Sequence, residues 1–234
     1  MPEKAERKAF EKSLNKLNEN MVTMAELSEL AIRKAIDGLS RGDRSTSEEV
    51  FALDQEIYGL QEEIEGTCVD LIALYAPVAR DLRTVTTSLK ITTDLDRIGR
   101  YAKDISEVAL QFPDGRPPGL ADLVKIPQMA EHTIRMVETA IDAFLKRNAD
   151  SVRNIMQVDD EVDRLHDEVF QEVVAHMEAG RLPIPAGARY ILVARHLERI
   201  ADHAVNIGLR VVYMVTGETM PRVRAADRSK RTLG

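Results

Sequence analysis

The stretch His196-Leu197-Glu198-Arg199-Ile200-Ala201-Asp202-His203-Ala204-Val205-Asn206-Ile207 has a looser copy upstream, Asp94-Leu95-Asp96-Arg97-Ile98-Gly99-Arg100-Tyr101-Ala102-Lys103-Asp104-Ile105. Both share the core Leu-(Asp/Glu)-Arg-Ile-(Gly/Ala), so the chain reads as a duplicated unit. In the downstream copy Glu198 and Asp202 stand one turn apart on a single helix face. Two carboxylates aimed the same way need a counter-charge.

Outward from these copies, the apolar residues keep helical spacing almost everywhere. Phe10, Leu14, Leu17, Met21, Met24, Ala31, Ala35 and Leu39 predict a long amphipathic helix over about 8–40, closed by Gly42. Thr46 with Glu49 forms a capping-box pattern for a second helix that carries Leu53, Ile57, Leu60, Ile64 and Leu71 to Tyr75. Pro77 opens a third, with Ile91, Leu95, Ile98, Ala102, Ile105 and Ala109. The cluster Pro113-Asp114-Gly115-Arg116-Pro117-Pro118-Gly119 then marks the boundary between repeats.

Beyond it the pattern restarts. One helix carries Ile126, Ala130, Val137, Ala140 and Phe144, and the next carries Ile155, Val162, Leu165, Val169 and Val173. After Gly180, Pro183 and Pro185, the last carries Leu197, Ile200, Ala204, Ile207 and Val211 at the phase of Leu95 to Ala109. The expected fold is all-α: two tandem, similar, antiparallel three-helix bundles over residues 1–112 and 118–220, followed by a tail, 221–234.

Composition sets bounds on function. A net charge of −7 leaves no body-wide positive field for nucleic acid. In the tail, Arg222, Arg224, Arg228, Lys230 and Arg231 oppose only Asp227, a basic end on an acidic body. Cys68 is the one cysteine, which excludes an intrachain disulfide and fits a reducing cytoplasm. With no run of about 20 apolar residues and no apolar signal core, any membrane association is expected to be peripheral. No Walker or Rossmann loop is present, and no nucleophile stands beside a base.

The chemistry-bearing residues are the acids. Glu198 sits in a seam of small residues, Ala194, Ala201, Val205, Gly208 and Val212, where an unpaired carboxylate is costly to ionise. The preceding helix offers Asp159 and Asp163 at the same i, i+4 spacing, with His166 three residues on. If the two helices face each other, four carboxylates converge. Such an oxygen-rich site suits Fe, Mn, Mg or Ca, and an imidazole shifts the preference toward Fe, Mn or Zn. The competing reading is a solvated or salt-bridged face, since Arg164, Arg195 and Arg199 are close in sequence.

The first repeat keeps each leading acid, Asp54 and Asp96, and replaces the second ones by Tyr58 and Arg100. Arg100 is expected to supply a built-in guanidinium between Asp96 and Asp54, which makes the second repeat the better metal site. His132 and His176 have no partner motif, whereas His196 and His203 flank Glu198 and Asp202 off their shared face and are candidates for an outer shell.

These motifs resemble the PhoU family of accessory regulators of phosphate uptake. Ala76-Pro77-Val78-Ala79-Arg80-Asp81-Leu82-Arg83 is similar to the family's signature at the start of the third helix, and Arg195 through Ile207, continuing to Tyr213-Met214-Val215-Thr216-Gly217, is similar to its other signature. The resemblance spans roughly residues 8–218. It implies two three-helix bundles, frequent homodimers, and acid-x-x-x-acid motifs that bind metal ions in some members. It implies a non-enzymatic negative regulator of a phosphate ABC transporter, with its ATPase component as partner, and in many bacteria of a sensor histidine kinase. Carried over by position, the metal motifs fall on Glu198 and Asp202, on Asp159 and Asp163, and on the reduced pairs led by Asp96 and Asp54.

Two other readings stay open. A carboxylate-bridged di-iron enzyme needs two Glu-x-x-His pairs, and only Asp163-x-x-His166 approaches one. A metal-free helical scaffold would carry the same acids as surface charge.

Overall fold

The computed structural model describes residues 2–112, 119 and 125–219. They form six helices: α1 (Pro2–Arg41), α2 (Arg44–Tyr75), α3 (Ala79–Leu110), α4 (Lys125–Lys146), α5 (Ser151–Glu178) and α6 (Ile184–Thr216). The Pro/Gly boundary at 113–118 and the basic tail at 221–234 lie outside the described residues.

Within each bundle, short connections make successive helices run antiparallel. Two residues separate α1 from α2, and three separate α2 from α3. α1, α2 and α3 pack on one another, as do α4, α5 and α6, and the two bundles join where α3 lies on α6 and α1 on α4. The predicted stripes are the buried ones. Leu17, Met21, Met24, Ile57, Ile64, Ile91, Leu95 and Ile98 fill the first bundle, and Val137, Val162, Val173, Leu197, Ile200 and Ile207 fill the second, in one continuous core.

Three helix starts differ from the sequence reading. α1 begins at Pro2 rather than near residue 8, because Glu, Lys, Ala and Arg continue the helix without a breaker and Pro is well suited to a first turn. α2 begins at Arg44, capped not by Thr46 but by Asp43, whose carboxylate accepts from the Ser45 and Thr46 amides and from the Thr46 hydroxyl at 2.7 Å. Those bonds hold the Asp43 carboxyl below its usual range. α3 begins at Ala79, because Ala76 ends α2 in the left-handed conformation and Val78 is extended. Among the described residues no helix is long and apolar enough to cross a membrane.

Candidate functional site

Two close approaches fix the register of α5 against α6. A Cβ added at Gly208 would lie 3.1 Å from Ile155 Cδ1, and one at Gly187 would fall 2.4 Å from Met177 Sδ and 3.2 Å from Val173 Cγ1. Between these crossings the antiparallel register brings Asp163 to the level of the turn between Glu198 and Asp202, with Asp159 one turn further along. The two acid pairs therefore occupy the same short section of the bundle. Asp159 and Glu198 are buried, and Asp163 and Asp202 are half-buried.

Arginines already engage the α6 acids. Arg195 Nη1 donates to Glu198 Oε2 at 2.7 Å, and Arg199 Nη1 to Asp202 Oδ2 at 3.4 Å. Both arginine side chains remain 40% or more exposed, so water can solvate either guanidinium once it is displaced. Arg164 turns away and pairs with Glu161 and Glu168. Among the described residues no three His, Cys, Asp or Glu side chains are gathered closely enough to hold a metal ion. His166 sits by Asp167, its Nδ1 3.6 Å from the carboxylate.

The first repeat has the same architecture with different chemistry. A Cβ on Gly99 would fall 2.8 Å from Ile57 Cδ1, so α2 and α3 cross at the point equivalent to Val162 and Ala201. Asp54 and Asp96 are buried like their counterparts Asp159 and Glu198. Here lysine and arginine complete the site. Lys103 Nζ lies 3.3 Å from Asp54 Oδ2, and Arg100 Nε donates to Asp96 Oδ2 at 2.9 Å. The Arg100 guanidinium also lies over the Tyr58 ring, 5.8 Å from its centroid. Its bond to Asp96, aided by the field of Asp54, raises its affinity for the proton above the ordinary value. Arg100 and Lys103 thus supply the cations that meet the two carboxylates.

Sequence reasoning missed a third constellation, on the seam between bundles. Asp94 of α3 is buried and receives three groups from α6: His203 Nδ1 at 2.9 Å, Arg210 Nε at 2.7 Å and Asn206 Nδ2 at 3.4 Å. The ionised carboxylate only accepts, so the His203 proton sits on Nδ1. Tyr101 packs between His196 and His203, with both ring centroids at 5.8 Å, and His196 Nδ1 is 3.8 Å from Asp104. Burial lowers the His196 proton affinity, and Asp104 partly opposes that. His196 and His203, the outer-shell candidates, both face α3 across this seam. The one local signal was Asp94 standing three residues after Ile91 on an otherwise apolar stripe. Its partners lie more than 100 residues away, where local pattern says nothing.

A six-helix body of two like bundles, each with a buried acid pair between its second and third helices, defines a duplicated all-helical protein. The comparisons name its kind. The family model described as the PhoU domain matches twice, at residues 21–109 and 126–211, and the chain belongs to the PhoU family. It is 32% identical over 214 residues to a phosphate-specific transport system accessory protein PhoU homolog from Clostridium acetobutylicum, covering 91% of this chain and 96% of that one. The corresponding homolog from Zymomonas mobilis is 32% identical over 227 residues, covering 94% and 92%. The crystal structure of the phosphate transport system regulatory protein PhoU from Streptococcus pneumoniae superposes with a TM-score of 0.83 at 29% identity, over 91% of this chain and all of that one. That of PhoU from Pseudomonas aeruginosa gives 0.82 at 32% identity, over 89% and 100%.

Proposed function

We propose that this chain is a non-enzymatic regulatory accessory protein of a phosphate ABC transporter, restraining uptake when phosphate is plentiful. The observation that carries this reading is the full-length likeness, in both repeats, to a solved phosphate transport regulatory protein. The transporter's cytoplasmic ATPase component is the proposed partner, a sensor histidine kinase the second, and the working form a homodimer in the cytoplasm. Deleting the coding sequence tests it. Uptake in phosphate-rich medium and intracellular phosphate are expected to rise, and unchanged values would overturn the assignment.

The second repeat is the proposed site for a metal ion, of the Fe, Zn, Mn or Mg type. Asp159, Asp163, Glu198 and Asp202 are hard oxygen donors within one short section of the bundle, and bound metal would draw them together and neutralise their charge. Arg195 and Arg199 must swing out first, which their exposure permits. Metal content of the purified chain, with Glu198→Gln/Asp202→Asn as comparison, is the check. Metal retained in full by that variant, or lost equally from an Asp54→Asn/Asp96→Asn variant, would refute this placement.

A further inference from the structure

At the end of the molecule away from the α1–α2 turn, three arginines come together without a carboxylate of their own. Arg80 and Arg83 lie in the first turns of α3, with Thr84 beside them on the same face, one helical turn from Arg80. Arg147 reaches them from the turn between α4 and α5, donating from Nη2 to Thr84 Oγ1 at 2.5 Å, while that hydroxyl donates to the Arg80 carbonyl at 3.0 Å. Arg83 is braced from the other side, its Nε donating to the Met214 carbonyl at 3.3 Å near the end of α6.

Among the described residues none of the three guanidiniums is in an ion pair. Asp81, the acid nearest in sequence, is held by Arg7 at 2.9 Å. Burial lowers the proton affinity of Arg147, and the charges of Arg80 and Arg83 lower it further against the pull of Asp81. Arg83 and Arg147 are half-buried, so part of this repulsion is felt away from bulk water, while Arg80 is exposed.

The backbone carries a second sign. Arg147 sits at φ 52°, just past the end of α4, with its amide bonded to Phe144 and the following amide to Ala143. That left-handed position is the one glycine fills most cheaply, and a side chain there costs about 1 kcal/mol. The other two non-glycine residues with left-handed backbone among the described residues, Ala76 and Ala79, flank the same arginines. Strain gathered in this way is kept where a side chain or a turn must be held in place.

We propose that Arg80, Arg83 and Arg147 form a binding site for a phosphoryl oxyanion, at the junction of the α3 start, the α4–α5 turn and the end of α6. Thr84 and Met214 O pre-orient two of the guanidiniums and leave their remaining N–H groups for the anion, which relieves the mutual repulsion. The α3 N-terminus adds favourable dipole, since Val78 provides no side-chain cap. The site lies apart from the acid pairs and stands on its own geometry, whatever the transporter reading.

Two sources share this chemistry, free inorganic phosphate and the headgroup of an anionic phospholipid. The full chain is tested for both, by equilibrium dialysis against radiolabelled phosphate and by co-sedimentation with phosphatidylglycerol vesicles against phosphatidylcholine ones. Saturable phosphate binding weakened about tenfold or more by Arg83→Gln and by Arg147→Gln supports the site with the free ion as ligand. Vesicle binding weakened by the same substitutions, without phosphate binding, supports it with the lipid headgroup as ligand. Every variant keeps the basic tail, so a loss reports on the three arginines. Arg80→Gln, on an exposed side chain, serves where the others fail to fold, and Arg83→Lys is expected to retain part of the affinity. Binding of neither ligand, or binding undiminished by all three neutral substitutions, overturns the proposal.

Discussion

Replacing Asp94 by alanine removes the carboxylate that three α6 side chains share and leaves His203, Asn206 and Arg210 facing an apolar gap. For a deeply buried pair, loss of one partner costs about 3–5 kcal/mol. Arg210 is 32% exposed and His203 19%, so water recovers part of that, and about 3 kcal/mol is expected. A chain of this length loses ~2–4 °C of Tm per kcal/mol, which places the shift at about 6–12 °C by calorimetry or circular dichroism. A double-mutant cycle with Arg210→Met should return a coupling of about 1–2 kcal/mol, because the two groups touch. Asp37→Ala, which breaks an exposed pair with Arg41, should move Tm by no more than ~1 °C. A Tm for Asp94→Ala within ~1 °C of the parent, or strict additivity with Arg210→Met, would show that the seam is held by apolar packing alone.

Three further perturbations have worked signs. Burial and the facing Glu138 push the Glu29 carboxyl up to about 7, so its burial costs nothing below the ordinary carboxylate range and the penalty grows as pH rises toward 7. Glu29→Gln is therefore expected to stabilise by about 1 kcal/mol at pH 8, discounted for partial exposure, and to be neutral near pH 4, by thermal melts at both values. A Cβ on Gly38 would meet Ser47 Oγ at 2.4 Å and Ser47 N at 3.0 Å, so Gly38→Ala should destabilise by about 1–2 kcal/mol despite its gain in helix propensity, with only partial rescue by Ser47→Ala in denaturant titrations. Cys68 is fully buried and its thiol is pushed up to about 12, so a thiol-disulfide reagent should label it only as the chain unfolds.

The helices were legible because their apolar stripes have only one period that buries them. Leu95, Ile98 and Ile105 in one repeat, and Leu197, Ile200 and Ile207 in the other, are buried as their spacing requires. Glu198 was legible because it interrupts a seam of small residues, and Asp54, Asp96 and Asp159 because they recur at matching places in the two repeats; all four are buried. Arg100 between Asp96 and Asp54 followed from an arginine standing where the other repeat has an acid. The α2 cap was misread because Asp43, Thr46 and Glu49 all satisfy capping preferences and only backbone geometry chooses among them. The Asp94 seam and the Arg147 contact to Thr84 stayed hidden because each joins residues far apart in the chain.

α6 packs on α3, α4 and α5, and it presents Glu198 and Asp202 on one side and His203, Asn206 and Arg210 on another. A single rod thus ties the acids of its own bundle to the seam with the sister half. The acids of the first half are likewise met from within the chain, by Arg100 and Lys103. Duplication has kept a buried leading acid in each half and changed the position of the cation that answers it.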